Sequence, residues 1–428
     1  MPDYRKKRRN KIFSSPQKVK KSRVKNVGES EDIKMSPSKR PAKKTPEKSN
    51  MRVITGKKLE QKRRFKVFAA TVSVLIIAVI VLQIIFPAGI IRTVSNNLAL
   101  LGSGSYPIEL ESSDTLNCVS KGSHYYVLSD TMVYSFAASG KELFSYNHGF
   151  ENPVIKTSVS GALVFEQGGT GAVIFSLSGV TGEIKTEKEI ITAAISDSGN
   201  YAIVSRSDKY ASTVSVYNKS GKRLYEWYSA QDTVNNAAIS PNGKKLAVST
   251  FSANVGQYNS KLRFLEFDSA ESEHSENFEG SIVYSLENTG GSKLAVVTKN
   301  GVKFIKWSDF KTTDYENGYS AAFFRAGKGG STAVFNREND KTDNRIVIFS
   351  KKGEKTAEFE FKGIISDIAV YGGHIYCMSD TDIYLLDSSG KILRKASCGF
   401  GAVNLCVTAT NTAVVVTDNK IEKIKLEQ

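Results

Sequence analysis

Four cysteines (Cys118, Cys377, Cys398, Cys406) and four histidines (His124, His148, His274, His374) are the chain's most chemically capable side chains. A zinc or redox site would need a CxxC pair or a Cys/His cluster at ligand spacing, and neither occurs. His148, in an Asn-His-Gly turn, and His274, among acidic residues, are therefore expected to be exposed loop residues. Asp197, Asp208 and Asp268 fall in turns or at strand ends without the DxDxDG spacing that calcium requires. The run KRLYEWY at 222–228 has the basic-aromatic mix that stacks single-stranded nucleic acid, but it reads more simply as one strand of a sheet. No catalytic, cofactor-binding or metal-ligating residue is expected.

Charge is divided unevenly. The 428-residue chain has a formal net charge of +16. Residues 1–66 hold 24 Lys and Arg against 6 Asp and Glu, which leaves 35 against 37 of the totals of 59 and 43 for the rest. The basic character belongs to the N-terminal segment alone, and the remainder is near neutral. No basic surface for nucleic acid is expected on it.

Residues 1–66 are rich in Lys, Arg, Ser and Pro and have no apolar periodicity, so they read as a disordered tail. From Val67 to Phe86 the sequence VFAATVSVLIIAVIVLQIIF carries no charge. Twenty helical residues span about 30 Å, the thickness of the hydrocarbon core, so this run reads as a transmembrane signal-anchor. Lys48, Arg52, Lys57, Lys58, Lys62, Arg63, Arg64 and Lys66 precede it, and only Arg92 follows within twenty residues. That asymmetry predicts a cytoplasmic N-terminus and an extracellular C-terminal domain at the plasma membrane. The tail should lie on anionic lipid headgroups. Ser15, Ser36 and Thr45, each followed by Pro, are places where phosphorylation would weaken that attachment.

Residues 87–105 read as a juxtamembrane helix and a Gly/Ser linker. Ile91, Val94, Leu98 and Leu101 stand at helical spacing ahead of Gly102–Ser105. From Tyr106 to the C-terminus the pattern is short alternating strands separated by Gly, Asn, Asp and Ser. AAISDSGNYAIVS (193–205) and AAISPNGKKLAVS (237–249) are the same strand-turn-strand unit 44 residues apart, with looser copies at 118–129, 368–379 and 406–417. A second hairpin follows as VYSFAASGKELFSY (133–146), VSVYNKSGKRLYEW (214–227), IVIFSKKGEKTAEF (346–359) and IYLLDSSGKILRKA (383–396). Together they make a four-stranded meander of about forty residues, the period of a β-propeller blade.

Units begin near 115, 153, 191, 234, 281, 320, 364 and 402, and the last lacks a fourth strand. Tyr106–Leu110 supplies a spare strand at the other end. The expected fold is thus all-β, a propeller of eight (alternatively seven) four-stranded blades whose N-terminal strand completes the last blade. Cys118 and Cys406 occupy the place of Ala194 and Ala238 in their units and would meet across that seam, either as a disulfide or as two small buried thiols.

AISPNGKKLAVS resembles the strand-turn-strand of WD40-like bacterial propellers, and the turns at 218–224 and 387–393 resemble those of quinoprotein blades. The whole is similar to an uncharacterised family, of unknown domain function, of membrane-anchored propellers from Gram-positive bacteria. Quinone-dependent members of that fold imply adjacent cysteines and aromatic stacking. This chain has no Cys-Cys pair and only Trp227 and Trp307, both expected to pack between blades. The expected function is a cell-surface binding or scaffolding module for an extracytoplasmic protein or wall polymer. A channel enzyme, hydrolase or oxidoreductase, and a sensor relaying to the tail are the alternatives.

Overall fold

A computed structural model describes residues 66–74, 76–78, 98, 100–111, 114–254, 256–269, 271–290, 292–327 and 329–427. The tail, with Ser15, Ser36 and Thr45, lies outside the described residues, as do Leu75 and residues 79–97. Lys66–Val74 and Ile76–Ala78 are helical. Among the described residues no helix is long and apolar enough to cross a membrane. The expected span therefore rests on the sequence.

From Ile108 onward the chain forms eight four-stranded antiparallel sheets. Seven are simple meanders beginning at Thr115, Pro153, Ile190, Thr233, Val283, Ser320 and Asp367. The eighth begins at Asn404 and takes its outer strand from the other end of the chain, where Ile108–Glu109 pairs with Lys420–Lys425, Ile108 opposite Ile421. This is the closure that the spare strand and the missing strand imply, and it fixes the blade number at eight. We number the blades 1 to 8 in that order.

The core is distributed around the ring. Eight clusters of buried apolar residues each draw on two neighbouring blades; Val214 and Val216 of blade 3, for example, pack with Val234, Leu246 and Val248 of blade 4. The last seam buries Tyr125, Val127 and Phe136 of blade 1 against Val414, Val416 and Ile421 of blade 8. Apolar side chains alternate along the middle strands because each blade has a neighbour on both faces, and only the outermost strands read half polar.

Turn chemistry sets the register. In the Ser-Gly-Lys turn of blade 3, Asn218 Oδ1 accepts from the Ser220 and Lys222 amides, both at 3.0 Å; in blade 7, Asp387 Oδ1 accepts from those of Ser389 (2.8 Å) and Lys391 (3.0 Å). Gly221 (φ +80°) and Gly390 (φ +85°) take the left-handed conformation that a Cβ would penalise.

Because every blade has the same up-and-down order, its connections segregate to two faces. The turns after the first and third strands lie on one, which we call proximal; turns after the second strand and the links between blades lie on the other, the distal face. Like bonds to like: Ser160 Oγ donates to Ser196 O (3.0 Å) between proximal turns, and Gly168 N to Ile190 O (2.9 Å) on the distal side. The chain reaches the ring at the proximal face, where Lys141 Nζ donates to Leu101 O (2.7 Å) and the Tyr106 ring lies against Gly140.

Candidate functional site

The first strand of each blade lines the central channel. Its titratable side chains across the eight blades are Lys121, Lys156, Tyr284, Glu287, Arg325, Asp367 and Tyr371, spread over five strands, with no histidine. Asp367 is buried and fully engaged. It accepts from Arg325 Nη2 (3.0 Å), from the amide of Ile368 (2.8 Å) and from that of Leu405 (3.0 Å), tying blades 6, 7 and 8 together. Among the described residues no group of three or more His, Cys, Asp or Glu is placed to hold a metal ion.

The structure joins Cys118 to Cys406, which are 288 residues apart in sequence, with their Cα atoms 6.1 Å apart. Of the two sequence readings the disulfide is the one present, and it bridges the first strands of blades 1 and 8 at the closure seam. Cys377 and Cys398 are buried thiols, and burial pushes Cys377 up to about 12, far from thiolate reactivity.

Two histidines differ from expectation. His148 is buried rather than exposed: its Nδ1 accepts from the Phe150 amide (3.0 Å), and Nε2 then carries the proton toward Ser129 O (3.3 Å). Burial lowers its pKa from the usual imidazole value. The polar turn places His148 at a seam between blades, which a one-dimensional reading does not show. His274 is not in a loop but in the outermost strand of blade 4, Ser272–Phe278. It is half-buried, 2.8 Å from Glu276 and stacked on Phe310 at 4.5 Å. A strand packed on one face only accepts polar residues at alternate positions, so SEHSENF resembles a loop in composition.

The remaining candidates are structural. Asp197 accepts from the Val159 amide (3.1 Å) across blades 2 and 3, and Asp208 pairs with Lys188 (2.7 Å). Trp307 is buried between blades 4 and 5, its Nε1 donating to Asn288 Oδ1 (2.9 Å), and Trp227 packs at the seam of blades 3 and 4. The KRLYEWY run contains the outer strand Arg223–Ser229. Glu226 takes up its polar groups, accepting from Arg223 (2.8 Å) and from the Tyr228 hydroxyl (2.7 Å).

What the sequence did not show is the polarity of the two faces. The links between blades, all on the distal face, carry Glu111, Asp114, Glu151, Glu187, Glu189, Asp232 and Glu279 against Lys188 alone. Glu189 pairs with Arg206 and Asp232 approaches Arg263. The proximal turns mix signs, with Lys141, Lys219, Lys222, Lys244 and Lys391 set among Asp197, Asp268, Asp309 and Asp387. Because the two kinds of connection alternate along the chain, the separation emerges only once the strands are paired.

The fold and its closure define an eight-bladed β-propeller of the WD40-like kind. The chain belongs to the family of unknown function DUF5711, which matches residues 104–426. Among solved structures it is similar to BamB from Moraxella catarrhalis, with a TM-score of 0.50 at 13% identity over 76% of this chain and 98% of that one. It is also similar to the C-terminal WD40 domain of Sif2, with a TM-score of 0.52 at 10% identity over 76% of this chain and 100% of that one. At these identities the likeness is one of fold. No curated protein matches the chain in sequence.

Proposed function

We propose that this protein is a binding or scaffolding module rather than an enzyme, held at the outer face of the plasma membrane by residues 67–86. Its N-terminal tail would rest on anionic lipid inside, and its propeller would face a protein or wall-polymer partner outside. The observation that carries this reading is where the chain meets the ring. It reaches the proximal face beside Gly140 and Lys141, so the entering chain leaves the distal face clear for a partner. The Cys118–Cys406 bond favours an oxidising compartment. The scattered titratable groups of the channel strands favour recognition over acid–base chemistry, which needs convergent groups.

Two experiments test the proposal. Protease added to intact cells should remove a C-terminal tag and spare an N-terminal one; the reverse pattern, or protection of both, overturns the anchor. Cross-linking in intact cells with a membrane-impermeant lysine reagent should capture an extracytoplasmic partner. The binding reading fails if none is captured while the purified protein turns over a substrate.

A further inference from the structure

The distal face is divided into two sectors. The links between blades 5 and 6, 6 and 7, and 7 and 8 (residues 317–319, 363–366 and 398–403) hold no charged residue. The last two present Ile364, Phe400 and Val403 to solvent, and Leu116, at the distal end of the first strand of blade 1, is exposed as well. Phe400 is 93% exposed and stands between Gly399 (φ +74°) and Gly401 (φ +84°), each with nothing within 4 Å of where a Cβ would sit. A phenylalanine held out on a glycine-flanked tip packs no core of its own. Around the rest of the circumference the links carry mostly acids, with Lys188, Arg206, Lys209 and Lys299 the cations on the links and neighbouring distal turns, and Glu111, Asp114, Glu151, Glu187 and Glu279 have no ion-pair partner among the described residues.

We propose that the distal face docks a basic polypeptide segment of a partner protein. A large apolar side chain of the segment would pack against Phe400, Ile364, Val403 and Leu116, and its Lys or Arg residues would lie along the acidic arc. This rests on the binding-module reading and names its surface and partner class. Apolar contact supplies the anchor, because large side chains that lose water at the centre of an interface dominate binding. The arc supplies orientation and steering. Its sign disfavours anionic wall polymers and anionic lipid.

The test uses the full-length protein in nanodiscs of zwitterionic lipid. The probe is a labelled twelve-residue peptide alternating Lys with Leu and Phe, read by fluorescence anisotropy. Binding should weaken about tenfold in Phe400→Ser, as expected of a central anchor. It should weaken comparably in a Glu151→Lys/Glu279→Lys variant, and as salt rises from about 50 to about 500 mM. Val159→Ser, an exposed change on the proximal face, should leave it unchanged. Phe400 is solvent-exposed, so its variant should fold, and an unchanged thermal midpoint establishes that it has.

Three outcomes overturn the proposal: no binding, binding indifferent to Phe400 (charge adhesion only), or equal binding of a peptide with Glu in place of Lys. Binding instead to vesicles of anionic lipid would make the face a membrane surface. If the peptide fails while cross-linking in cells captures a partner through the proximal turns, the docking surface is wrong and the binding module stands. If both fail, the module reading falls as well.

Discussion

Replacing both bonded cysteines by alanine should destabilise the fold about as much as truncating one of its large buried side chains. Cys118 and Cys406 close a loop of 288 residues that contains nearly the whole propeller. Chain entropy for a loop of that length gives about 5–6 kcal/mol at 25 °C, while removing native disulfides typically costs about 2–5 kcal/mol. Residual structure in the denatured chain reduces the gain, so we expect about 4 kcal/mol. Alanine is a suitable probe because the first strands of blades 3 and 4 already carry buried alanine on both faces: Ala193 and Ala237 face the preceding blade, as Cys118 does, and Ala194 and Ala238 the following one, as Cys406 does. The assay is urea unfolding of the full-length C118A/C406A protein beside wild type, followed by circular dichroism. The midpoint should fall. The slope should rise, since an unlinked denatured chain expands and exposes more surface. A loss below about 1 kcal/mol, or four free thiols on titration of the unfolded, unreduced wild type, would refute the reasoning.

Three further perturbations probe the closure and the buried polar groups. Leu110→Ala, beside Val416 and Ile421, should cost about 2–3 kcal/mol and speed amide exchange in Lys420–Lys425 relative to the other third strands; uniform exchange would show that the N-terminal strand does not close blade 8. Asp367→Ala should cost about 3 kcal/mol by orphaning the buried amides of Ile368 and Leu405, with Asp367→Asn recovering part of it; equal thermal midpoints for Ala and wild type would contradict the role assigned. His124 is buried and its pKa is lowered to about 4 by burial and by Lys121, so the unfolded state binds its proton more readily. Its contribution is full above about pH 6.5 and is lost as pH falls toward 4, about 2 kcal/mol by pH 5. His124→Gln should flatten that part of the stability–pH curve, and an unaltered curve would count against it.

The ring was largely legible in sequence because each blade repeats the same solution to one packing problem. AAIS-turn-AIVS and Ser-Gly-Lys recur where a buried strand must reverse over a left-handed glycine, as Gly221 and Gly390 show. The expected unit starts at 115, 153 and 320 match the structure; those at 364 and 402 fall two or three residues early because the links before those blades are themselves free of charge and partly apolar, and that at 281 falls two early, before Val283. His148 and His274 were less legible, since burial at a seam depends on the neighbouring blade and not on adjacent residues. The acidic arc was hidden for a related reason: Glu151, Glu187 and Glu279 are far apart in the chain and share a face only when strand pairing sorts the connections. Phe400 sat in plain view, but a phenylalanine between two glycines gains meaning only once its ring is known to be exposed.

The distal face is proposed to bind a partner outside the cell. A photo-crosslinking amino acid placed at position 400, and in a parallel strain at position 159, addresses it in intact cells. After irradiation, mass spectrometry would locate the joined peptide. An adduct from position 400, absent from 159, to a Lys- and Arg-rich segment of an extracytoplasmic protein is the expected result. An adduct from 159 alone, or to a cytosolic protein, would contradict it.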